Sequence, residues 1–204
     1  AKYKALIDKV IAAEQKVSAT DVLSKAVATY YAKLITYKDE YEVARLYTSG
    51  EFLKNLETQF EGDYELEFHL APPILSKRDP ETGRFKKSTF SKHMFKMFKL
   101  LAKFKFLRGT AFDVFGYDKH RKMERELIAH YEHLIENVIL PKLSTENLQT
   151  AIKLAKLPEE IRGYDVVKDR HVRQVREKEQ QLLVEYTQPA TKKKAEAVQY
   201  SEAS

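Results

Sequence analysis

Ser91-Lys-His-Met-Phe-Lys-Met-Phe-Lys-Leu-Leu-Ala-Lys-Phe-Lys-Phe106 places Lys92, Lys96, Lys99 and Lys103 at successive spacings of four, three and four residues. At about 100° per residue these lysines fall within roughly 60° of a helical wheel. Met94, Met97, Phe98, Leu100, Leu101 and Phe104 fill much of the remaining arc. A half-buried strand would alternate polar and apolar residues at period two. This run repeats at three and four instead, so it predicts an amphipathic helix over 91–106 with one lysine edge.

The same period recurs on both sides of it. Residues 3–17 read as a helix with Leu6, Ile7, Val10 and Ile11 on one side. Ser18-Ala-Thr-Asp21 is a capping signal for a second helix over 22–37, and 38–47 continues helically. Gly50 stands where a helix C′ residue belongs, and a short helix over 51–60 follows. Asp118 caps a long helix that ends near Leu140, because Pro141 cannot continue it. Ser144-Thr-Glu-Asn147 opens another helix to about Lys156, and a charged helix over 165–186 closes the series.

Only Glu65-Leu-Glu-Phe-His-Leu70 alternates at period two, which predicts a strand. Pro72-Pro73 ends it, and Arg78-Asp-Pro-Glu-Thr-Gly-Arg84 is turn chemistry that returns the chain to a partner strand near residues 85–87. After Thr187 only Val198 and Tyr200 are large and apolar, too few to offset chain entropy. The fold class expected is therefore mainly α (α+β). One multi-helix domain spans 1–186, with a small β-hairpin at about 64–90 and a disordered, flexible tail over 187–204.

Composition narrows the function. The chain has 204 residues, 43% hydrophobic and 32% charged, with only 6 Gly and 6 Pro, which favours long helices over strands and turns. It has no cysteine, which excludes disulfides and fits the cytoplasm. No apolar run approaches the roughly 20 residues that span a bilayer, and the charged N-terminus is not a signal peptide. Net charge is +6, yet residues 84–108 hold nine Lys/Arg and no Asp or Glu. Removing those nine from 36 basic residues leaves 27 against 30 acidic ones, a net of −3. One local positive surface on a mildly acidic chain argues against a general nucleic-acid binder.

The candidate binding residues follow from that segment: Arg84, Lys86, Lys87, Lys92, Lys96, Lys99 and Lys103. Their plain reading is the solvated edge of a core helix. Their functional reading is a face that docks an acidic partner. His130 and His133 lie three residues apart with Glu126 before them, but a di-metal bundle site needs a second Glu-x-x-His and two further carboxylates. His69 and His93 stand alone. Glu42 and Arg45 are helical neighbours, so an ordinary ion pair is expected. Arg108-Gly109 and Arg162-Gly163 read as helix ends with a C′ glycine. No nucleophile elbow, Ser/His/Asp order or cysteine nucleophile is present. Catalytic, cofactor-binding and metal residues are therefore expected to be absent from this segment.

Several stretches together resemble the C-terminal region of the long, fused-chain bacterial indolepyruvate ferredoxin oxidoreductases, of the 2-oxoacid:ferredoxin oxidoreductase family. They are Tyr37-Lys-Asp-Glu-Tyr-Glu-Val-Ala-Arg-Leu-Tyr47, Phe60-Glu-Gly-Asp-Tyr64 with Phe68-His-Leu-Ala-Pro-Pro73, residues 79–84, Leu107-Arg-Gly-Thr110 through Phe115-Gly-Tyr117, Met123-Glu-Arg-Glu-Leu127 and residues 157–163. The likeness covers roughly residues 30–183. The family favours Arg-Gly-Phe-Gly-His-Val-Lys where this chain has Arg162-Gly-Tyr-Asp-Val-Val-Lys168, so any role of that histidine does not carry over.

The resemblance implies a parent that oxidatively decarboxylates an aryl 2-oxoacid with thiamine diphosphate, passes electrons through [4Fe–4S] clusters to ferredoxin, and takes coenzyme A as substrate. The resemblance also implies that the thiamine and cluster domains lie upstream in such parents; this chain, with no cysteine, has no thiolate to hold a cluster. The segment is then an accessory domain that supports assembly or docking. Its partners are the upstream catalytic domains of the same polypeptide or another protomer, and ferredoxin. The alternative is a stand-alone binding module for an acidic protein or nucleic acid.

Overall fold

Leu6, Val10 and Glu14 recur every four residues and form the buried stripe of α1 (Lys2–Glu14) in the computed structural model. The structure describes residues 2–37, 39–62, 66–70, 88–90 and 93–188, and these are mainly helical. By its internal contacts the chain divides into two compact units, Ala1–Thr36 with Glu126–Ser204, and Tyr37–Arg125.

The first unit is built on α1, α2 (Val22–Ile35), the C-terminal part of α6 (Lys119–His133), α7 (Leu148–Lys156) and α8 (Asp165–Thr187). α1 packs on α2, and α7 packs on both α2 and α8. α7 is apolar on most of its circumference, with Leu148, Ala151, Ile152, Leu154 and Ala155 all buried. Leu23, Val27, Ile135, Ile139 and Leu154 are fully buried, each contributing about 1.5–3 kcal/mol of transfer free energy. Tyr3, Tyr31 and Tyr131 stack in series with ring centroids 5.6 and 6.1 Å apart.

Three sequence expectations change here. The long helix before Pro141 does not run uniformly to Leu140: α6 gives way to a π-helical turn, Leu134–Ile139, and a 3-10 turn, Leu140–Lys142. The proline lacks an N–H donor, and the Tyr186 hydroxyl donates to the Ile139 carbonyl at 2.7 Å. Ile11, grouped by periodicity with the core, is 38% exposed. α7 begins at Leu148 rather than Ser144, because the Asn147 side chain accepts from the Ser144 N–H (2.8 Å) and donates to the Lys142 carbonyl (2.8 Å), which holds a turn.

The second unit contains α3 (Glu40–Thr48), α4 (Gly50–Gln59), β1 (Phe68–Leu70), β2 (Ser88–Phe90), α5 (His93–Lys103) and 3-10 turns at Phe104–Leu107 and Phe115–Tyr117. Its core is thin. Ala44 and Phe98 are buried, with Tyr47, Leu66, Met94, Phe95, Leu101 and Ala102 packed against them. Tyr47 stacks on Phe98 at 5.7 Å, and α4 buries no residue fully. β1 and β2 pair antiparallel, Phe68 opposite Phe90, His69 opposite Thr89 and Leu70 opposite Ser88. Of the hairpin expected over 64–90, the connecting residues 71–87 lie outside the described residues, as does the expected tail from residue 189 on.

Gly50 is another correction. It does not take the left-handed conformation of a C′ residue but opens α4, with Ser49 as N-cap accepting from the Phe52 N–H at 3.4 Å. Gly109 is the C′ residue expected, with φ +77, whereas Gly163, with φ +83, stands one position beyond C′ because the preceding turn ends at Ile161; both φ values favour glycine. At Gly163 a Cβ would also lie 2.8 Å from Val167 Cγ1. Among the described residues no helix is long and apolar enough to cross a membrane.

Candidate functional site

The segments 37–47 and 107–117 meet in the second unit. Asp39, at the extended residue before α3, accepts from the Glu42 N–H at 2.8 Å as the helix cap. Its second oxygen lies 2.5 Å from Arg108 Nε, a close charge contact rather than a well-angled hydrogen bond. The Arg108 guanidinium lies 4.6 Å above the Tyr37 ring. Tyr41 meets Phe115 edge-on at 5.3 Å. Asp113 accepts from the Gly109 N–H (2.8 Å) and the Gly116 N–H (3.0 Å), which folds the 109–116 turn around one carboxylate. A Cβ on Gly116 would sit 2.6 Å from an Asp113 oxygen, so only glycine fits. Arg125 donates to the Gly116 carbonyl at 2.5 Å, and Arg121 pairs with Glu40 at 3.2 Å.

Burial, followed by the nearby Asp113, Asp39 and Glu40 carboxylates, pushes the Tyr41 phenol up to about 12. The Arg45 and Lys105 hydrogen bonds hold Glu42 down at about 2. The hollow among Tyr37, Asp39, Tyr41, Asp113, Phe115, Arg121 and Arg125 has room for about 10 Å³, no more than a single water. Small-molecule pockets run from about 300 Å³ upward, and the carboxylates here bond backbone N–H groups instead.

The basic segment divides in two. Lys105 pairs with Glu42 at 2.8 Å and Arg108 with Asp39, so carboxylates near the start of α3 neutralise that end. Sequence reading missed this, because the partners lie more than sixty residues apart and no local spacing links them. Lys96, Lys99 and Lys103 are exposed on α5 and make no ion pair among the described residues. Lys99 Nζ lies 5.0 Å from the Phe95 ring centroid. Arg84, Lys86, Lys87 and Lys92 lie outside the described residues, as do the side chains of His69 and His93.

In the first unit, His130 Nε2 lies 2.7 Å from Glu179, and His133 Nδ1 lies 2.9 Å from the Asn137 amide. Glu132 accepts from the Tyr31 hydroxyl and Glu136 pairs with Lys9 at 2.6 Å, so the carboxylates near the histidines serve packing. Among the described residues no three or more of His, Cys, Asp and Glu gather as metal ligands. Lys33 donates to the carbonyls of Pro158 (2.7 Å), Glu159 (3.1 Å) and Ile161 (3.1 Å), which ties the 157–163 segment to α2. Burial, then the charges of Arg162 and Lys168, lowers its pKa.

No curated protein sequence and no solved structure matches the chain. A family model described as "Family of unknown function (DUF6537)" matches residues 1–181, and the chain belongs to that family.

Proposed function

We propose that this chain is the accessory C-terminal domain of an indolepyruvate-type 2-oxoacid:ferredoxin oxidoreductase. In this reading it supports assembly while oxidative decarboxylation takes place in other domains of the polypeptide. The observation that carries the proposal is the cluster at Asp39, Arg108 and Asp113. Two of the stretches that resemble those enzymes, 37–47 and 107–117, converge there on one another. Their distinctive residues act as caps, turns and ring contacts, the work of a scaffold. Lys33 does the same for the resembling segment 157–163.

A [4Fe–4S] cluster does not fit this segment, and the resemblance places thiamine diphosphate with it in other domains. The segment has no thiolate, and among the described residues no metal-ligating cluster. On this reading both groups, and the coenzyme A site, belong to upstream domains, which with another protomer and ferredoxin are the partners. The stand-alone binding module is the rival reading, favoured by the unneutralised Lys96, Lys99 and Lys103.

Isolating the native polypeptide with an antibody raised against this chain distinguishes them. The expected product is a longer polypeptide containing thiamine diphosphate, iron and sulfide, which reduces ferredoxin when given indolepyruvate and coenzyme A. A native polypeptide near 23.8 kDa with none of these groups would overturn the proposal in favour of the module.

A further inference from the structure

Fourteen large apolar side chains are exposed among the described residues, and seven of them lie between Met97 and Tyr117. That stretch overlaps the basic segment. On α5 the two properties share one face. Phe98 is 7% exposed and points into the core, whereas Met97 is 61% and Leu100 58% exposed. At about 100° per residue, Leu100 lies roughly 40° from Lys96 around the helix, and Met97 roughly 100°. Lys99 and Lys103 flank Lys96 on the other side. The outer face of α5 is therefore a strip of ammonium groups running beside a strip of apolar surface made by Met97, Leu100 and the 40% exposed Phe104. Phe106, 71% exposed, extends the apolar strip past the end of the helix.

We propose that this face of α5 docks the surface of another protein that presents carboxylates around an apolar centre. Charge complementarity selects the partner: Lys96, Lys99 and Lys103 have no carboxylate among the described residues, and the 84–108 stretch contains none. The apolar strip distinguishes a protein from a polyanion. Phosphates would satisfy the lysines but leave Met97 and Leu100 wet, and the exposed rings of Phe104 and Phe106 follow Lys103 in the chain rather than alternating with Lys96, Lys99 and Lys103. A partner that covers both strips gains association rate from the charges and residence time from the desolvated centre. The inference goes beyond the oxidoreductase reading and rests on exposure and charge alone, so either can fail without the other.

Binding of fluorescent probes to the 204-residue chain at low and high salt tests it. The probes are a glutamate–leucine copolymer, poly-glutamate, oligothymidylate, and vesicles containing phosphatidylserine. The copolymer is expected to bind most tightly. Lys96→Glu with Lys103→Glu should weaken it about tenfold or more at low salt, and less at high salt. Met97→Ser with Leu100→Ser should erase its advantage over poly-glutamate while leaving thermal unfolding unchanged, because both side chains are already exposed. Preference for oligothymidylate or vesicles, parity of copolymer and poly-glutamate for the unmodified chain, or indifference to both double variants would each overturn the inference.

Discussion

Glu14 is 1% exposed, and its carboxylate accepts from the backbone N–H groups of Leu23 (2.7 Å) and Ser24 (2.8 Å) and from the Ser24 hydroxyl. It therefore caps α2 from the end of the preceding helix. Sequence rules place the cap at the residue just before the helix, here Asp21. That side chain makes no capping bond and pairs with Lys25 at 2.9 Å. The local pattern was sound, but a buried charge satisfied by three donors outcompetes an exposed one. Glu14→Ala leaves two buried N–H groups without a partner and is expected to cost about 1–3 kcal/mol of unfolding free energy in urea titrations. Asp21→Ala should cost much less. Equal effects would mean that α2 is capped locally after all.

At the scale of elements, α3 shows why boundaries resist periodicity. The apolar period runs on through 38–47, but Asp39 (ψ 175) and Ser49 (ψ 143) adopt extended backbone and start new helices. Each is a small polar residue able to bond its own helix's free N–H groups. The start of α3 then gathers cations: Glu42 holds Arg45 at 2.6 Å and Lys105 at 2.8 Å. Those two bonds depress its pKa from 4.5 to about 2. A carboxylate with a depressed folded pKa contributes stability that is present above its unfolded value and lost as pH falls through the folded one. The contribution of Glu42 is therefore expected to be complete above about pH 4.5 and to fade toward pH 2. Thermal melts of Glu42→Gln and the unmodified chain should differ at pH 7 and converge on acidification. A gap that stays constant down to pH 2 would show that the pairs contribute nothing.

At the scale of the whole molecule, the two units differ in how much of their apolar surface they cover. The first surrounds α7 with helices, and its aromatic and aliphatic residues are mostly buried. The second covers α5 on one face only and leaves seven large apolar groups exposed between Met97 and Tyr117. Sequence patterning made the helices, the lysine stripe, the Glu42–Arg45 pair and the Arg-Gly turns legible, because each depends on neighbours within a turn or two. It did not reveal the Asp39–Arg108 and Glu42–Lys105 pairs, which join distant segments. Nor did it reveal that Met97 and Leu100 face outward. Periodicity identifies apolar residues without saying how many of them the unit can cover.

On the proposed function, the residues that make this segment recognisable hold structure and do not carry a reaction. Asp39→Asn in the native polypeptide that contains the segment tests this most directly, with two readouts on one sample. Asparagine keeps the capping acceptor for Glu42 but removes the charge opposite Arg108. The predicted result is an unfolding free energy lower by about 1–3 kcal/mol, with indolepyruvate turnover per folded molecule unchanged. Unchanged stability with turnover lost would contradict this reading and make Asp39 a catalytic residue.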